Sequence, residues 1–355
     1  MISESEAEES YGRTRYGRKI VMDTSRKENI LDFLLHFDGK AVLYPTTDSQ
    51  VEYFSAHRAR LPSAIRLLFP SHGIVEMLTR KDLFFDFANS RGDEVPPSRY
   101  VQTRRECIDT AGELKFPVIA KTRKKVYKKG LKKAYILQTP SELISWYEMI
   151  ESIHSDFIIQ EYIPGDDSSV FFTMQYISEK GDLLASFTGR KIRQWPLLTG
   201  GTASAKPYYS PELTRRTHEF FRDAGLHGIC SMEYKQDPQT GRFYLIEPTV
   251  CRTDFQEGVS IANGVNIPLV AFRDAVGNPV RCPPQKKDAV KRWMHLTADR
   301  LSRDALIEDG KITYFQWLKS MACVRSNDLF TLYDPGPLLH EILIKLRRLF
   351  CKRER

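Results

Sequence analysis

No run of 18 consecutive apolar residues occurs anywhere in the 355-residue chain, so no segment reads as a bilayer-spanning helix. The opening MISESEAEES is acidic and holds no apolar stretch, and it does not read as a secretory leader. Cysteine is sparse: Cys107, Cys230, Cys251, Cys282, Cys323 and Cys351 are scattered without a CxxC pair. That pattern argues against a disulfide frame or a zinc site and fits reduced thiols in a cytoplasm. No Ser/His/Asp or cysteine nucleophile arrangement is evident either. Positive charge, by contrast, is in excess. The net charge of +8 suits an anionic partner, whether nucleotide, nucleic acid or lipid headgroup. With 41% apolar residues the chain can bury a core and is long enough for two or three compact units.

The most informative stretch is GICSMEYKQDPQTGRFYLIEPTVCRTD, residues 228–254. Two strand-like runs flank D-P-Q-T-G, in which Pro fixes φ and Gly tolerates positive φ, so the segment predicts a hairpin. Each strand carries a carboxylate, Glu233 and Glu247, and pairing the strands brings the two together. Adjacent carboxylates repel unless a cation lies between them, and Mg²⁺ is suited to bridging them. The same residues also fit a surface hairpin with two solvated acids.

Upstream, 30–35 has helical spacing, 41–48 reads as a strand entering a polar turn, and 51–60 reads as a helix. Such alternation predicts an α/β layer with parallel strands. A helix follows over 79–88, with Thr79 as a candidate cap, and Val95-Pro96-Pro97 ends it. F-P-V-I-A-K (116–121) is a buried strand ending on Lys121, followed by a basic hairpin containing Arg123, Lys124, Lys125, Lys128, Lys129, Lys132 and Lys133. Such clustered cations read as a nucleic-acid or anionic-lipid patch, although Tyr127 and Tyr135 are the only aromatics, too few for a stacking platform. F-I-I-Q-E-Y-I-P-G-D-D (157–167) is an apolar strand running into a turn and two acids, and G-R-K-I-R-Q-W-P (189–196) is a strand that turns strongly basic. F-Q-E-G-V-S-I-A-N-G-V-N-I-P (255–268) reads as a helix with stop signals. Residues 338–355 form a basic amphipathic helix. Docking on its own core is the preferred reading of that helix, an anionic membrane surface the alternative. Cys351 is conceivable as a lipidation site.

Taken in this order, P-V-I-A-K, E-Y-I-P-G, G-R-K-I-R-Q-W-P, L-I-E-P-T-V-C-R and A-N-G-V-N-I-P resemble the ATP-grasp superfamily, in particular its carboxylate–amine ligase branch. The resemblance covers residues 79–276. It implies an α/β (α+β) fold in which an ATP-grasp domain, 79–280, is built of two α+β subdomains at about 79–156 and 157–280. A shortened Rossmann-like unit would precede it at 19–78, since the usual opening strand and Gly-containing turn are missing. Residues 1–18 would be a disordered tail and 281–355 an appendix. The resemblance further implies that Lys121 and Lys133 contact phosphates, with Lys132 close behind. Gln160, Glu161, Tyr162 and Ile163 would lie at the adenine and Asp167 at the ribose. Glu233, Glu247 and Thr249 would hold metal, Thr249 standing where the family usually has Asn. Arg190, Lys191 and Arg193 would face the transferred phosphoryl group and the acceptor carboxylate, and Arg252 would hold a substrate carboxylate or intermediate.

The implied reaction uses ATP and Mg²⁺, with Mn²⁺ as a substitute, to join a small-molecule carboxylate to an amine through an acylphosphate. Amino acids or peptides are the substrate class to expect, without nucleic acid, and peripheral membrane contact would involve only the last helix. The competing readings are a nucleotide-binding pseudoenzyme and a basic nucleic-acid or membrane-surface protein. Nothing in the sequence addresses oligomeric state.

Overall fold

The computed structural model describes residues 2–3, 13–18, 20–124, 126, 128–329 and 333–351. Most of the expected tail lies outside the described residues, as do Lys125 and Tyr127 of the basic hairpin, residues 352–355 and the side chain of Cys351.

The first unit begins with α1 (Lys27–Leu35), which buries Ile30, Leu31 and Leu34 at helical spacing. Strand β1 (Ala41–Leu43) pairs in parallel with β2 (Ile65–Leu67), and α2 (Asp48–Ala56) connects them. Helix α2 starts three residues before the sequence pattern suggested, because Thr47 accepts from the Gln50 amide and caps it there. It also ends earlier, at Ala56, and Arg58–Arg60 is a 3₁₀ turn. Strand β2 escaped the sequence reading because it has three residues and one fully buried position, too little for a periodic signal. Helices α3 (His72–Thr79) and α4 (Lys81–Ser90) follow. Thr79 ends α3 rather than capping α4. Its hydroxyl donates back to the Val75 carbonyl, and Arg80 occupies the cap position without capping the helix through its side chain, which instead donates to Asp82.

Next comes a four-stranded antiparallel sheet. Its strands are β3 (Ser98–Val101), β4 (Val118–Thr122), β5 (Tyr135–Leu137) and β6 (Phe157–Glu161), in the order β3-β6-β4-β5. Helix α5 (Arg104–Glu113), nucleated by a Thr103/Glu106 capping box, and α6 (Pro140–Ile150), capped by Thr139, cover one face. Val118, Ala120, Phe157 and Ile159 project onto that face and pack against Leu143, Trp146 and Tyr147. The expected division between 156 and 157 is therefore displaced: β6 belongs to this small sheet, and the connection to the rest of the chain starts after Glu161.

The large sheet has seven strands. They are β7 (Val170–Ile177), β8 (Leu183–Trp195), β9 (Gly201–Pro207), β10 (Gly228–Gln236), β11 (Phe243–Val250), β12 (Arg292–Met294) and β13 (Val324–Asn327), in the order β11-β10-β7-β8-β9-β12-β13. Strand β7 is buried at all eight positions because both faces are covered. On one face Phe171, Met232 and Tyr234 share a core with α7 (Pro211–Asp223), α4 and the first unit. On the other, Phe172, Met174 and Phe187 pack against α8 (Glu257–Ala262) and α9 (Ile267–Ala275). The segment 255–268 is thus two helices, with Gly264 at φ +90° between them and Asn266 capping the second.

At Gly228, φ is +111° and a Cβ would stand 1.9 Å from the Leu68 carbonyl oxygen, so only glycine lets the first unit approach β10 this closely. The boundary expected near 280 is crossed by the sheet itself. Strand β12 pairs with β9, and α10 (Leu296–Glu308) and α11 (Tyr314–Met321) pack near it, so 281–327 extends the large sheet rather than hanging from it. Helix α12 (Gly336–Cys351) ends the described chain.

Candidate functional site

Strands β10 and β11 pair in a register that sets Glu233 directly opposite Glu247. The turn between them closes through the Gly241 amide on the Asp237 carbonyl, with Gly241 at φ +71°. Both carboxylates line a cavity of about 220 Å³ between the small and the large sheet, together with Lys81, Lys121, Lys133, Gln194 and Lys235. The segment 160–163 forms another wall.

Ammonium groups surround the acids. Lys191 Nζ lies 2.7 Å from Glu233 Oε1 and 3.1 Å from Gln194 Oε1. Lys81 Nζ is 3.6 Å from Glu247 Oε1, and Lys133 Nζ is 3.9 Å from Glu247 Oε2. Lys121 donates to Gln160 Oε1 at 3.3 Å. Burial pushes the Lys121 ammonium down to about 8, opposed by Glu247 and reinforced by Lys81 and Lys133. Behind Glu233, the Asp254 carboxylate accepts from Ser231 and Gln256 and is pushed up by burial and by the charge of Glu233.

This donor set fits Mg²⁺. Glu233 and Glu247 offer hard oxygens on facing residues, and three lysines now occupy the positive role between them. Among the described residues no group of three or more His, Cys, Asp or Glu forms a metal cage. A cation held here would complete its shell with phosphate oxygens and water, as Mg²⁺ ordinarily does.

Several residues expected at the site do other work. Asp167 is buried and accepts from the Gln194 amide, the Gln194 side chain and the Leu198 amide. It anchors the segment after β8 and is not open to a ribose. Arg190 donates to the Ser168 carbonyl and hydroxyl and stacks on Phe171, away from the cavity. Arg193 pairs with Asp299 of α10 at 2.7 Å and with Ser320 at 2.9 Å, and so ties β8 to α10 and α11. Arg190 and Lys191 part by ordinary strand alternation, and register shifts at Lys191/Arg193 and Arg193/Gln194 interrupt that alternation before Arg193 finds its own partners. Arg252 is bound to Asp48 of α2. Thr249 stands opposite Ser231, a pleat beyond Glu247, and is not among the residues lining the cavity.

At the strand end, the Tyr162 amide donates to the Pro117 carbonyl and the Glu161 amide to the Pro97 carbonyl, and Ile163 lines the cavity beside them. Glu161 itself accepts from the Lys115 amide. Lys132, whose amide donates to the Tyr135 hydroxyl, does not line the cavity, whereas Lys133 does.

Sequence reasoning missed two lysines. Lys81 sits in the first turn of α4, and its only local signal was a cation at a helix start. Lys235 read as part of a strand. Its ammonium donates to the Gly165 and Asp166 carbonyls and lies 5.6 Å from the Tyr162 ring centroid, pinning the hinge to β10. Burial pushes it down to about 8.

No family model matches the chain. It is 24% identical over 274 residues to the D-aspartate ligase of Enterococcus faecium (strain Aus0004), covering 72% of this chain and 64% of that one. It is 22% identical over 309 residues to the C-terminal section of the carbamoyl phosphate synthase large chain of Aquifex aeolicus (strain VF5), covering 84% and 54%. The chain thus spans less than two thirds of the length of either curated relative. Among solved structures, the biotin carboxylase domain of Hydrogenobacter thermophilus 2-oxoglutarate carboxylase, a complex with MgADP, ADP and bicarbonate, superposes with a TM-score of 0.66 at 17% identity. That match covers 82% of this chain and 67% of the other.

Proposed function

We propose that this chain, which has the ATP-grasp fold, is an ATP-dependent ligase that joins a carboxylate to an amine and releases ADP and phosphate. The observation that carries the reading is the cross-strand Glu233/Glu247 pair facing Lys81, Lys121 and Lys133 across one cavity. In this reading residues 98–161 and the large sheet enclose ATP, with the first unit as a shortened pre-ATP-grasp element. The base lies against the hinge at Ile163, and Lys121 and Lys133 hold the phosphates as point charges.

Mg²⁺ held by Glu233 and Glu247 supplies charge neutralisation at the phosphates. The chain's own residues do the rest. Lys121, Lys133 and Lys191 offset charge that builds on the phosphoryl oxygens, and the cavity walls exclude water from the acylphosphate. A carboxylate oxygen attacks the γ-phosphorus and ADP leaves. The amine nitrogen then attacks the acyl carbon, phosphate leaves, and the nitrogen gives up a proton. Small-molecule carboxylates and amines of the amino-acid class are the substrates to try first, since the D-aspartate ligase is among the relatives.

A second reading, a nucleotide-binding pseudoenzyme, draws on the close Lys191–Glu233 contact, which already holds one of the two carboxylates. The test is Mg²⁺-dependent ADP release with ATP and pooled amino acids, wild type against Glu247→Gln. ADP that depends on particular acids and falls by about 10³-fold or more in the variant supports the ligase. Tight ATP binding with no ADP from any pool selects the pseudoenzyme, and absence of ATP binding overturns both.

A further inference from the structure

Helix α12 turns its apolar stripe outward. Leu339, Ile342, Leu343 and Leu346 are 56%, 44%, 55% and 44% exposed, while Leu338, His340, Glu341 and Ile344 are partly covered. Their spacing of three and four places them on one side of the helix. The preference for a helix docked on its own core is therefore reversed: the side that would dock faces solvent. Four adjacent large apolar side chains on one exposed helix face call for a partner surface.

Charge identifies that partner. Residues 336–355 carry Lys345, Arg347, Arg348, Lys352, Arg353 and Arg355 against Glu341 and Glu354, a net +4 within a chain of net +8. An apolar stripe on a helix within a strongly cationic stretch of sequence suits a surface that is anionic at its rim and apolar just beneath. No helix among the described residues is long and apolar enough to cross a membrane, so the contact would be peripheral. A nucleic acid would match the charge alone, and a protein partner would need an apolar groove with an acidic rim, whereas an anionic lipid surface presents both features along the whole length of the helix.

We propose that α12 is an interfacial anchor that docks the protein on anionic lipid headgroups through Leu339, Ile342, Leu343 and Leu346. This goes beyond the proposed ligase activity and does not depend on it. The test is co-sedimentation of the full chain with phosphatidylcholine vesicles, with and without phosphatidylglycerol, at low and high salt. The anchor requires binding to the phosphatidylglycerol vesicles that weakens with salt. It should weaken about fivefold for each cation removed in Arg347→Gln and Arg348→Gln. It should weaken at least about tenfold in a Leu339→Glu, Leu343→Glu double variant that keeps wild-type ATP binding and circular dichroism.

Absence of binding to any vesicle overturns the proposal. So does vesicle binding that the leucine variant leaves intact, which would mark general adhesion by charge. A dimer in sedimentation velocity that the leucine variant dissociates would assign the stripe to a second copy of the chain. Tighter binding to single-stranded RNA than to vesicles would assign the charge to nucleic acid. Should the double variant fail to fold, a single Leu343→Ser variant decides in its place: an anchor loses at least about threefold in vesicle binding, and adhesion by charge alone is left unchanged, which would overturn the proposal.

Discussion

The carboxylate hairpin and the basic strand β8 sit side by side in the chain's chemistry and behave in opposite ways. In the hairpin, two residues 14 apart in sequence end as direct partners, because a one-residue register shift between Glu233 and Tyr234 carries Glu233 past Ile246 to Glu247. In β8, cations spaced within four residues part company. Lys191 goes to Glu233, Arg190 to Ser168, and Arg193 to Asp299. The lesson is that density of charge along one strand says little about convergence in space, whereas cross-strand register, bulge included, brings distant charges to one point.

That contrast can be broken at its ends. Arg193→Met strips a buried pair whose partner, Asp299, is fully inaccessible. It should cost about 3–5 kcal/mol in urea unfolding, because an uncompensated carboxylate is left inside. ATP affinity of the folded protein should stay at the wild-type value; a selective loss of ATP affinity without loss of stability would put Arg193 back in the site. Lys191→Met removes the one β8 cation that reaches the carboxylates. ADP release should fall by about 10²-fold with nucleotide affinity changed by less than about threefold, as expected for a group that acts on developing charge. Equal losses in both would mark it as a plain binding residue.

The smallest effect is a pH dependence at Lys121, whose ammonium sits near 8 in the free protein. Phosphate oxygens favour the protonated form, so bound nucleotide raises that value. Affinity is therefore full below about 8 and declines as pH rises from there toward the bound-state value, with proton uptake on binding over that window. Calorimetry in buffers of different ionisation enthalpy measures the uptake, and Lys121→Met should abolish it.

How much of this was legible beforehand follows the same division. Lys121, Glu161, Glu233 and Glu247 lie on or at the ends of apolar strands, where a polar residue in a buried run is itself a signal, and Lys133 borders one. The fold class was legible for the same reason, from strand and helix periodicities and the order of the segments. Lys81 was not, because it reaches Glu247 from a helix 166 positions upstream and carries no local mark beyond a cation at a helix start. Arg193 and Asp167 misled because their partners lie elsewhere: Asp299 in a segment whose pattern said little, and the Leu198 amide in a loop. Strand β12, three residues long, hid the continuity of the large sheet beyond 280. A local pattern reports which side chains are polar and buried, not which other element will satisfy them.

The lysines clustered on Glu233 and Glu247 also bear on the sequence in which ligands assemble. With Lys81, Lys133 and Lys191 already acting as counter-ions, a bare divalent ion gains less by entering, since it must compete with the buried Lys191 and the mostly covered Lys81. A metal arriving on a triphosphate brings the anions to which those side chains can transfer. In the proposed ligase the metal and the nucleotide would thus enter as one ligand, and the charges would set order of addition rather than affinity for the bare metal.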